Sequence, residues 1–246
     1  MENADLYPTI FKRKSIRRYE STPLDEATLA KITERLSHLK PLYEEIKTEL
    51  KVLPANSVNG FFAAKAPHYL AIFSEEKEGY LTNAGYLLQQ MDLYLSANYL
   101  GSCWLGAAKP SKELIKDSKL KFVISLAFGR PSEQLHRVSV GEFRRNSLDQ
   151  ISNARGMDDL LEAARLAPSA NNSQRWFFTG GEGKLNVYVS NSLILNRVSK
   201  IDAGIAICHI WIAAEHSGKQ VEFVNDMEAT RNVSSGKTYV ISLRIF

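Results

Sequence analysis

An α+β protein made of two fused repeats is the fold class this sequence predicts, and three observations carry the prediction. Phe122-Val123-Ile124-Ser125-Leu126 returns 117 residues later as Tyr239-Val240-Ile241-Ser242-Leu243, and β-branched and aromatic runs of this length form buried strands. Ahead of each lies a long apolar helix with a matching opening, Asn83-Ala84-Gly85-Tyr86-Leu87 and Asp202-Ala203-Gly204-Ile205-Ala206, 119 residues apart. Further upstream Ile32-Thr33-Glu34 matches Leu160-Leu161-Glu162, 128 residues apart, inside amphipathic patterns of helical period. Coincidence among apolar strands accounts for one such match, but three in the same order point to a diverged duplication whose spacing drifts with insertions.

Each half reads helix, strand, long apolar helix, strand. After a short N-terminal helix, the first half has a helix near residues 23–39, where Thr22 can cap, Pro23 suits the first turn and Asp25 completes a pattern like a capping box. A strand near Tyr69-Leu70-Ala71-Ile72-Phe73, a helix from about Thr82 to Tyr99 and the Phe122 strand follow. The second half has a helix near 157–166 and strands at Trp176-Phe177-Phe178 and Leu185-Asn186-Val187-Tyr188-Val189. A helix from about Ile201 to His216 and strands near Val221-Glu222-Phe223-Val224 and Tyr239 complete it. The polar stretch from Ser132 to Gly156 is the junction, which divides the chain into repeats 1–140 and 141–246.

At 246 residues the chain has room for a substantial core, and its 44% hydrophobic and 24% charged content disfavours disorder, collagen and coiled coil. A formal net charge of +4 is too weak a field to argue for nucleic acid. Cys103 and Cys208 lie in no Cys/His cluster of zinc spacing, so neither a disulfide framework nor a structural zinc is expected. No signal-like start and no membrane-length apolar run is present, so the expected location is the cytoplasm.

Three segments are candidates for chemistry. Arg13-Lys14-Ser15-Ile16-Arg17-Arg18 places cations and a hydroxyl on a loop, as a phosphate dianion requires; taken alone, the run reads first as a solvated basic face, and as a nucleic-acid arm it lacks the spread of interleaved aromatic and basic residues such a surface shows. Ala167-Pro168-Ser169-Ala170-Asn171-Asn172-Ser173-Gln174-Arg175-Trp176 breaks a helix at proline and lays out small and amide residues. Such residues let backbone approach a planar ligand and bond its polar rim, although they also make an ordinary turn. Leu100-Gly101-Ser102-Cys103-Trp104-Leu105-Gly106 reads as a helix end and turn whose glycines free backbone N–H groups for a ligand, or as a C-cap with a packed tryptophan. No hydrolase triad, Walker A or H-E-x-x-H motif occurs, and His209, on an apolar helix, reads as a core histidine. Chemistry without its own acid, base or metal set needs an organic cofactor.

Together these segments resemble the FMN-dependent nitroreductase superfamily, with its Arg-x-Ser-x-Arg/Lys opening, its Ala-Pro-Ser-x-x-Asn-x-Gln-Pro-Trp motif and its Gly-Leu-Gly-x-x-Trp-like turn. The order departs from the family's, since Pro168 lies 153 residues after Ser15 and the first half reads Leu39-Lys40-Pro41-Leu42 where the proline-serine motif belongs. Ordinary members are homodimers with FMN at the interface, so the resemblance implies a duplicated subfamily in which one chain is a pseudo-dimer with one intact flavin site. It implies mostly antiparallel or mixed central sheets flanked by helices. Carried over by position, Arg13, Lys14 and Ser15 hold the ribityl phosphate and Arg17 reaches the N1 and C2-oxygen edge of the flavin. Arg144 and Arg145, after Gly129-Arg130-Pro131, add phosphate-binding charge. Pro168, Ser169, Ala170 and Asn172 line the other side, and Trp104, Leu105 and Gly106 bring a backbone N–H near N5. Asn59 is a weaker candidate for the pyrimidine edge, and Arg175 stands where the family has proline. The implied reaction passes a hydride from NAD(P)H through FMN to a small oxidised acceptor such as a nitroaromatic or quinone. No side chain acts as acid or base in it, and neither a metal, nucleic acid nor a membrane takes part. The alternatives are a flavin-binding sensor or carrier without turnover, and a nucleic-acid binder using Lys12 to Arg18.

Overall fold

The two long helices are apolar almost all round, and a helix of that kind has to be buried on every side. In the computed structural model, which describes residues 6–60, 64–192, 195–231 and 233–246, they form the centre of the molecule. The first half contains α1 (Tyr7–Ile10), α2 (Glu26–Leu36), β1 (Thr48–Pro54), β2 (Val58–Asn59), β3 (His68–Ser74), α3 (Tyr80–Ala97), β4 (Gly101–Leu105), β5 (Lys109–Pro110), α4 (Lys112–Lys116) and β6 (Lys121–Gly129). The second contains α5 (Leu148–Ile151), α6 (Asp158–Arg165), β7 (Trp176–Gly181), β8 (Lys184–Ser190), α7 (Asn196–His216), β9 (Val221–Val224), α8 (Met227–Arg231) and β10 (Lys237–Ile245).

Two four-stranded sheets result, in the orders β1-β3-β6-β4 and β7-β8-β10-β9, with β2 and β5 paired separately. Every pairing within the two sheets is antiparallel. Both sheets follow one connection scheme: two strands, a long helix, then two strands of which the last inserts beside the second. Helices α3 and α7 pack against each other and each against its own sheet, and one apolar core runs through both halves. A smaller cluster around Tyr69, Phe73 and Ala127 covers the outer face of the first sheet. Among the described residues no helix is long and apolar enough to cross a membrane, and no group of His, Cys, Asp and Glu has the makings of a metal site.

The crossing of α3 and α7 is made by the two glycines that sequence comparison had already paired. A Cβ on Gly85 would lie 2.1 Å from the Ile201 carbonyl oxygen, and one on Gly204 would lie 2.0 Å from that of Thr82. Thr82 and Ile201 are themselves 119 residues apart, as are Gly85 and Gly204, so the contact is reciprocal in the manner of an isologous interface. Backbone carbonyls cannot swing aside as a side chain can. Gly85→Ala or Gly204→Ala is therefore expected to cost about 3 kcal/mol by overpacking, read as a lowered midpoint in urea unfolding, whereas Gly141→Ala, whose Cβ would meet nothing nearer than the Ser139 hydroxyl at 3.8 Å, lacks that clash.

Several sequence expectations need correction. Helix α2 starts at Glu26, capped by Asp25, which accepts from the Thr28 amide at 2.8 Å; Thr22 and Pro23 precede it because the Asp25 carboxylate, unlike Thr22, stands where it meets the free N–H groups. The Gly101–Leu105 segment is strand β4 rather than a turn, and only Gly106 lies beyond it. Strand β1 was not anticipated. The polar 132–156 junction also carries buried anchors, with a 3-10 turn at Val140–Phe143 and with Phe143 and Ile151 2% and 1% exposed. Histidine 209 is a core residue, as expected: its Nδ1 meets the Ala163 carbonyl at 2.8 Å, and burial holds its pKa down to about 3, hence neutral.

Candidate functional site

After α1 the chain turns and lays Ser15 and Ile16 along the free edge of β4. Ser15 bridges Ser102 in parallel, and the Ile16 amide donates to the Ser102 carbonyl at 2.8 Å. Gly101 permits this approach, since a Cβ there would meet Ile16 side-chain atoms at 2.8 Å. The pairing turns Arg13 inward. Its guanidinium is 1% exposed, its Nε stands 2.7 Å from Asp92 Oδ2 of α3, and its Nη2 donates to Ser15 Oγ at 3.2 Å. The Ser102 hydroxyl donates to the other Asp92 oxygen. A buried cation is tolerable only with such a partner. Arg17 and Arg18 instead point outward, their backbone amides held by Glu133 Oε1 at 2.8 and 3.1 Å.

Two further guanidiniums gather beside Arg13. Arg137 donates to the Arg13 carbonyl and lies over the Phe143 ring at 4.0 Å. Arg145 lies 5.6 Å from the centre of that ring and donates to the Phe143 carbonyl at 2.9 Å. Burial, reinforced by the neighbouring cations, depresses both pKa values to about 10: Arg137 feels Arg13, and Arg145 feels Arg13, Arg137 and Arg165. Glu162 occupies Arg165 at 2.5 and 2.6 Å, and Asp92 is spent on Arg13. The cluster is thus an excess of buried positive charge, and its natural complement is an anion. The Arg145 Nε is buried without a hydrogen-bond partner.

The amide-rich segment meets this cluster. Pro168 ends α6, and the Ser169 hydroxyl accepts from the Gln174 amide at 3.0 Å. Asn171, Asn172 and Gln174 adopt left-handed backbone conformations, φ 53°, 55° and 46°, which Asn tolerates better than most residues. Arg145 Nη1 donates to Asn172 Oδ1, and Asn172 Nδ2 donates to the Arg144 carbonyl at 3.0 Å. Gln174 Oε1 accepts from the Asn146 amide at 2.8 Å. The cationic and amide-rich stretches, remote in sequence, therefore share one locus with Arg145 as their link. Arg144 joins through its backbone, its side chain being exposed.

Trp104 follows Ser102 by two in β4 and so shares its face; its indole N–H is buried and unpartnered. Leu105 points to the opposite face, into the outer cluster, so its side chain does not belong to the site. Gly106 is exposed, with open space where a side chain would be. Asn59 is exposed in β2, and Arg175 is drawn away toward the Asn191 carbonyl at 3.4 Å. Sequence reasoning missed Asp92, Arg137 and Asp202, and within its candidate segments it singled out neither Ser102 nor Gln174. Asp92 did carry a signal, being a lone acid among apolar residues of a buried helix, which implies a buried cation to match.

Asp202 anchors the amide segment from α7: its two oxygens accept the Ala170 amide at 3.2 and 3.1 Å. The residue 119 positions earlier, Asn83, does the same for the other half, accepting from the Leu42 and Tyr43 amides at 2.8 and 3.2 Å. Burial lifts the Asp202 pKa to about 7, against the bond from Ala170. Because the folded value is raised from 3.8, stability is lost as pH climbs from about 4 to 7, where the unfolded carboxyl ionises and the folded one resists. Asp202→Asn keeps the acceptor and removes the ionisation. The variant is expected to gain roughly 3 kcal/mol over the parent between pH 4 and pH 8, read by urea unfolding at the two pH values.

Two antiparallel sheets packed on a central helix pair, with a guanidinium cluster against an amide-rich turn, define a nitroreductase-type α+β protein. The family model described as "Putative TM nitroreductase" matches residues 5–214, and the chain belongs to that family, which places it among the oxidoreductases. The fold is shared with a putative nitroreductase of Thermotoga maritima at 19% identity and a TM-score of 0.64, covering 99% of this chain and 94% of that one. A nitroreductase family protein of Clostridium difficile 630 aligns at 16% identity and a TM-score of 0.47, over 61% of this chain and 96% of that one. An FMN-dependent nitroreductase of Clostridium difficile R20291 aligns at 19% identity and a TM-score of 0.39, over 50% and 85%. No curated protein matches the chain.

Proposed function

We propose that this protein is an FMN-dependent oxidoreductase that takes a hydride from NAD(P)H and passes it to a small oxidised acceptor such as a nitroaromatic or quinone. The observation that carries the reading is the meeting of Arg13, Arg137 and Arg145 with Asn172. The residues fit a phosphorylated flavin on two counts: the cluster has more buried positive charge than Asp92 balances, and the Arg145 Nε and Trp104 Nε1 donors lie buried without acceptors.

Within this reading Arg145, Arg137 and Lys14 take the phosphate, while Arg13 and Ser15, tied to Asp92, shape the edge against which it rests. Pro168, Ser169, Ala170 and Asn172 form the opposite wall, and Arg17 and the backbone at Trp104 to Gly106 face the ring. FMN supplies the hydride-accepting and hydride-donating centre. The chain's part is orientation and charge: the fixed Arg13, Arg137 and Arg145 guanidiniums would hold the phosphate end in place, and the solvent-facing Arg17 would favour negative charge on the ring. The reciprocal helix crossing supports repeats 1–140 and 141–246 acting as a pseudo-dimer, sufficient as a monomer because each half contributes one wall.

The test is an anaerobic titration of the flavin-loaded protein with NADH and with NADPH. Bleaching of the flavin absorbance by either, and its return on adding a quinone, is the expected result. Flavin that stays oxidised under both would overturn turnover and leave a sensor or carrier. A protein that takes up no FMN would overturn the reading altogether.

A further inference from the structure

A cavity of about 1860 Å³ lies apart from the cluster above and shares none of Arg13, Arg137, Arg145 and Asn172 with it. Its walls come from the loop at Pro41–Glu45, from α7 at Trp211 and Glu215, and from β9 and β10 at Phe223 and Tyr239. The Pro41 loop is held by Asn83 as the Pro168 turn is held by Asp202. Trp211 stands 119 residues after Asp92, the carboxylate that fixes Arg13. Strands β9 and β10 occupy, in the second sheet's order, the places of β4 and β6 in the first. The cavity is therefore the duplicate of the candidate flavin cleft, with the loop and helix of the two halves exchanged.

Its chemistry has diverged. Where the first cleft has a buried carboxylate holding a buried arginine, this one has an indole packed on Tyr86 with ring centres 5.4 Å apart, and Tyr86 meets Phe223 at 5.7 Å. Lys40 lies over Trp211 at 5.2 Å and is paired with Glu215 at 3.2 Å, while Lys237 is turned away over Phe177. Glu44, Glu45 and Glu78 line the same space together with Arg35, Lys200 and Lys219, and none of its cations is buried as Arg13 is. With acids and bases mixed and no buried guanidinium, a phosphate finds no complement here to offset its desolvation, whereas aromatic walls suit a flat uncharged ring system.

We infer that this duplicated cleft is a second binding site that takes a neutral planar aromatic ligand in preference to its phosphorylated form. The inference rests on the proposed reading of the first cleft, which says what shape of molecule the duplicated walls were built around. Riboflavin and FMN differ by the phosphate alone and are the probes.

In calorimetric titration of the FMN-loaded chain, riboflavin is expected to bind at one per chain and added FMN not to bind further. Val240→Trp, which fills the cavity from β10, and Tyr43→Ala, which removes a ring at its rim, are each expected to weaken riboflavin at least tenfold while FMN content holds. Absence of riboflavin binding, equal uptake of a second FMN, or riboflavin binding indifferent to both variants overturns the inference. If the chain takes up no FMN, the proposed function fails separately. Riboflavin binding by the unloaded chain that responds to Val240→Trp and not to Arg145→Ala would still uphold the second site, and the reverse response would overturn it.

Discussion

Arg145→Ala is expected to weaken FMN binding by roughly 30- to 150-fold, or about 2–3 kcal/mol, the worth of charge-assisted bonds lost from a buried fork. Arg145 is the residue that joins the two halves of the candidate site, through Asn172 on one side and the Arg13 and Arg137 cations on the other. Arg145→Lys should recover only part of the loss, because an ammonium keeps the charge without the planar fork. Asn172→Ala, in the amide-rich wall of the site, should weaken FMN in the same assay by about tenfold, the loss of one charge-assisted bond. Fluorescence titration of free FMN reads all three, and wild-type affinity in either alanine variant would contradict a site built where the guanidinium cluster meets the amide-rich turn. Inorganic phosphate should raise the melting temperature of the parent and not that of Arg145→Ala, by linkage of anion binding to folding.

Asp92→Ala is expected to cost about 3–5 kcal/mol of folding stability, because it leaves the Arg13 guanidinium buried with no countercharge. The pair is 1% and 0% exposed at its side chains, so water cannot stand in for the carboxylate. Replacing both partners together, as Arg13→Met with Asp92→Leu, should return most of that stability while leaving FMN binding impaired. A double-mutant cycle in urea unfolding measures the coupling. Equal losses in the single and double variants would show that the pair is not the reason for the cost.

The repeat was legible because buried elements repeat their pattern in sequence. Strands β3, β6, β8 and β10 are apolar runs, and Gly85 and Gly204 mark the one place where two backbones come too close for any side chain. Strand β1 was illegible because it is an edge strand, half-buried and carrying Glu49 and Lys51, the charges by which edges avoid further pairing. Strand β4 hid for a different reason. Gly101, Ser102 and Cys103 are small residues that read as a turn, and they form a strand because β6 on one side and the Ser15–Ile16 segment on the other supply hydrogen bonds. The amide-rich turn and the arginine run were visible as motifs, but not the Asp92, Arg137 and Asp202 that fix them, since these lie tens of residues from the atoms they hold.

By itself, then, the sequence determined the recurring strand-and-helix pattern, the long helices and the two motifs, because period, helix-breaking proline and close-approach glycine are local properties of the chain. Only the tertiary structure decided which cations are buried and which are solvated. Arg13 and Arg17 sit four residues apart in one basic run, yet one is sealed against Asp92 and the other faces water. That difference is set by the strand edge on which the run lies and by the carboxylate that α3 brings beneath it, since burying a charge depends on what stands opposite and not on its neighbours in sequence.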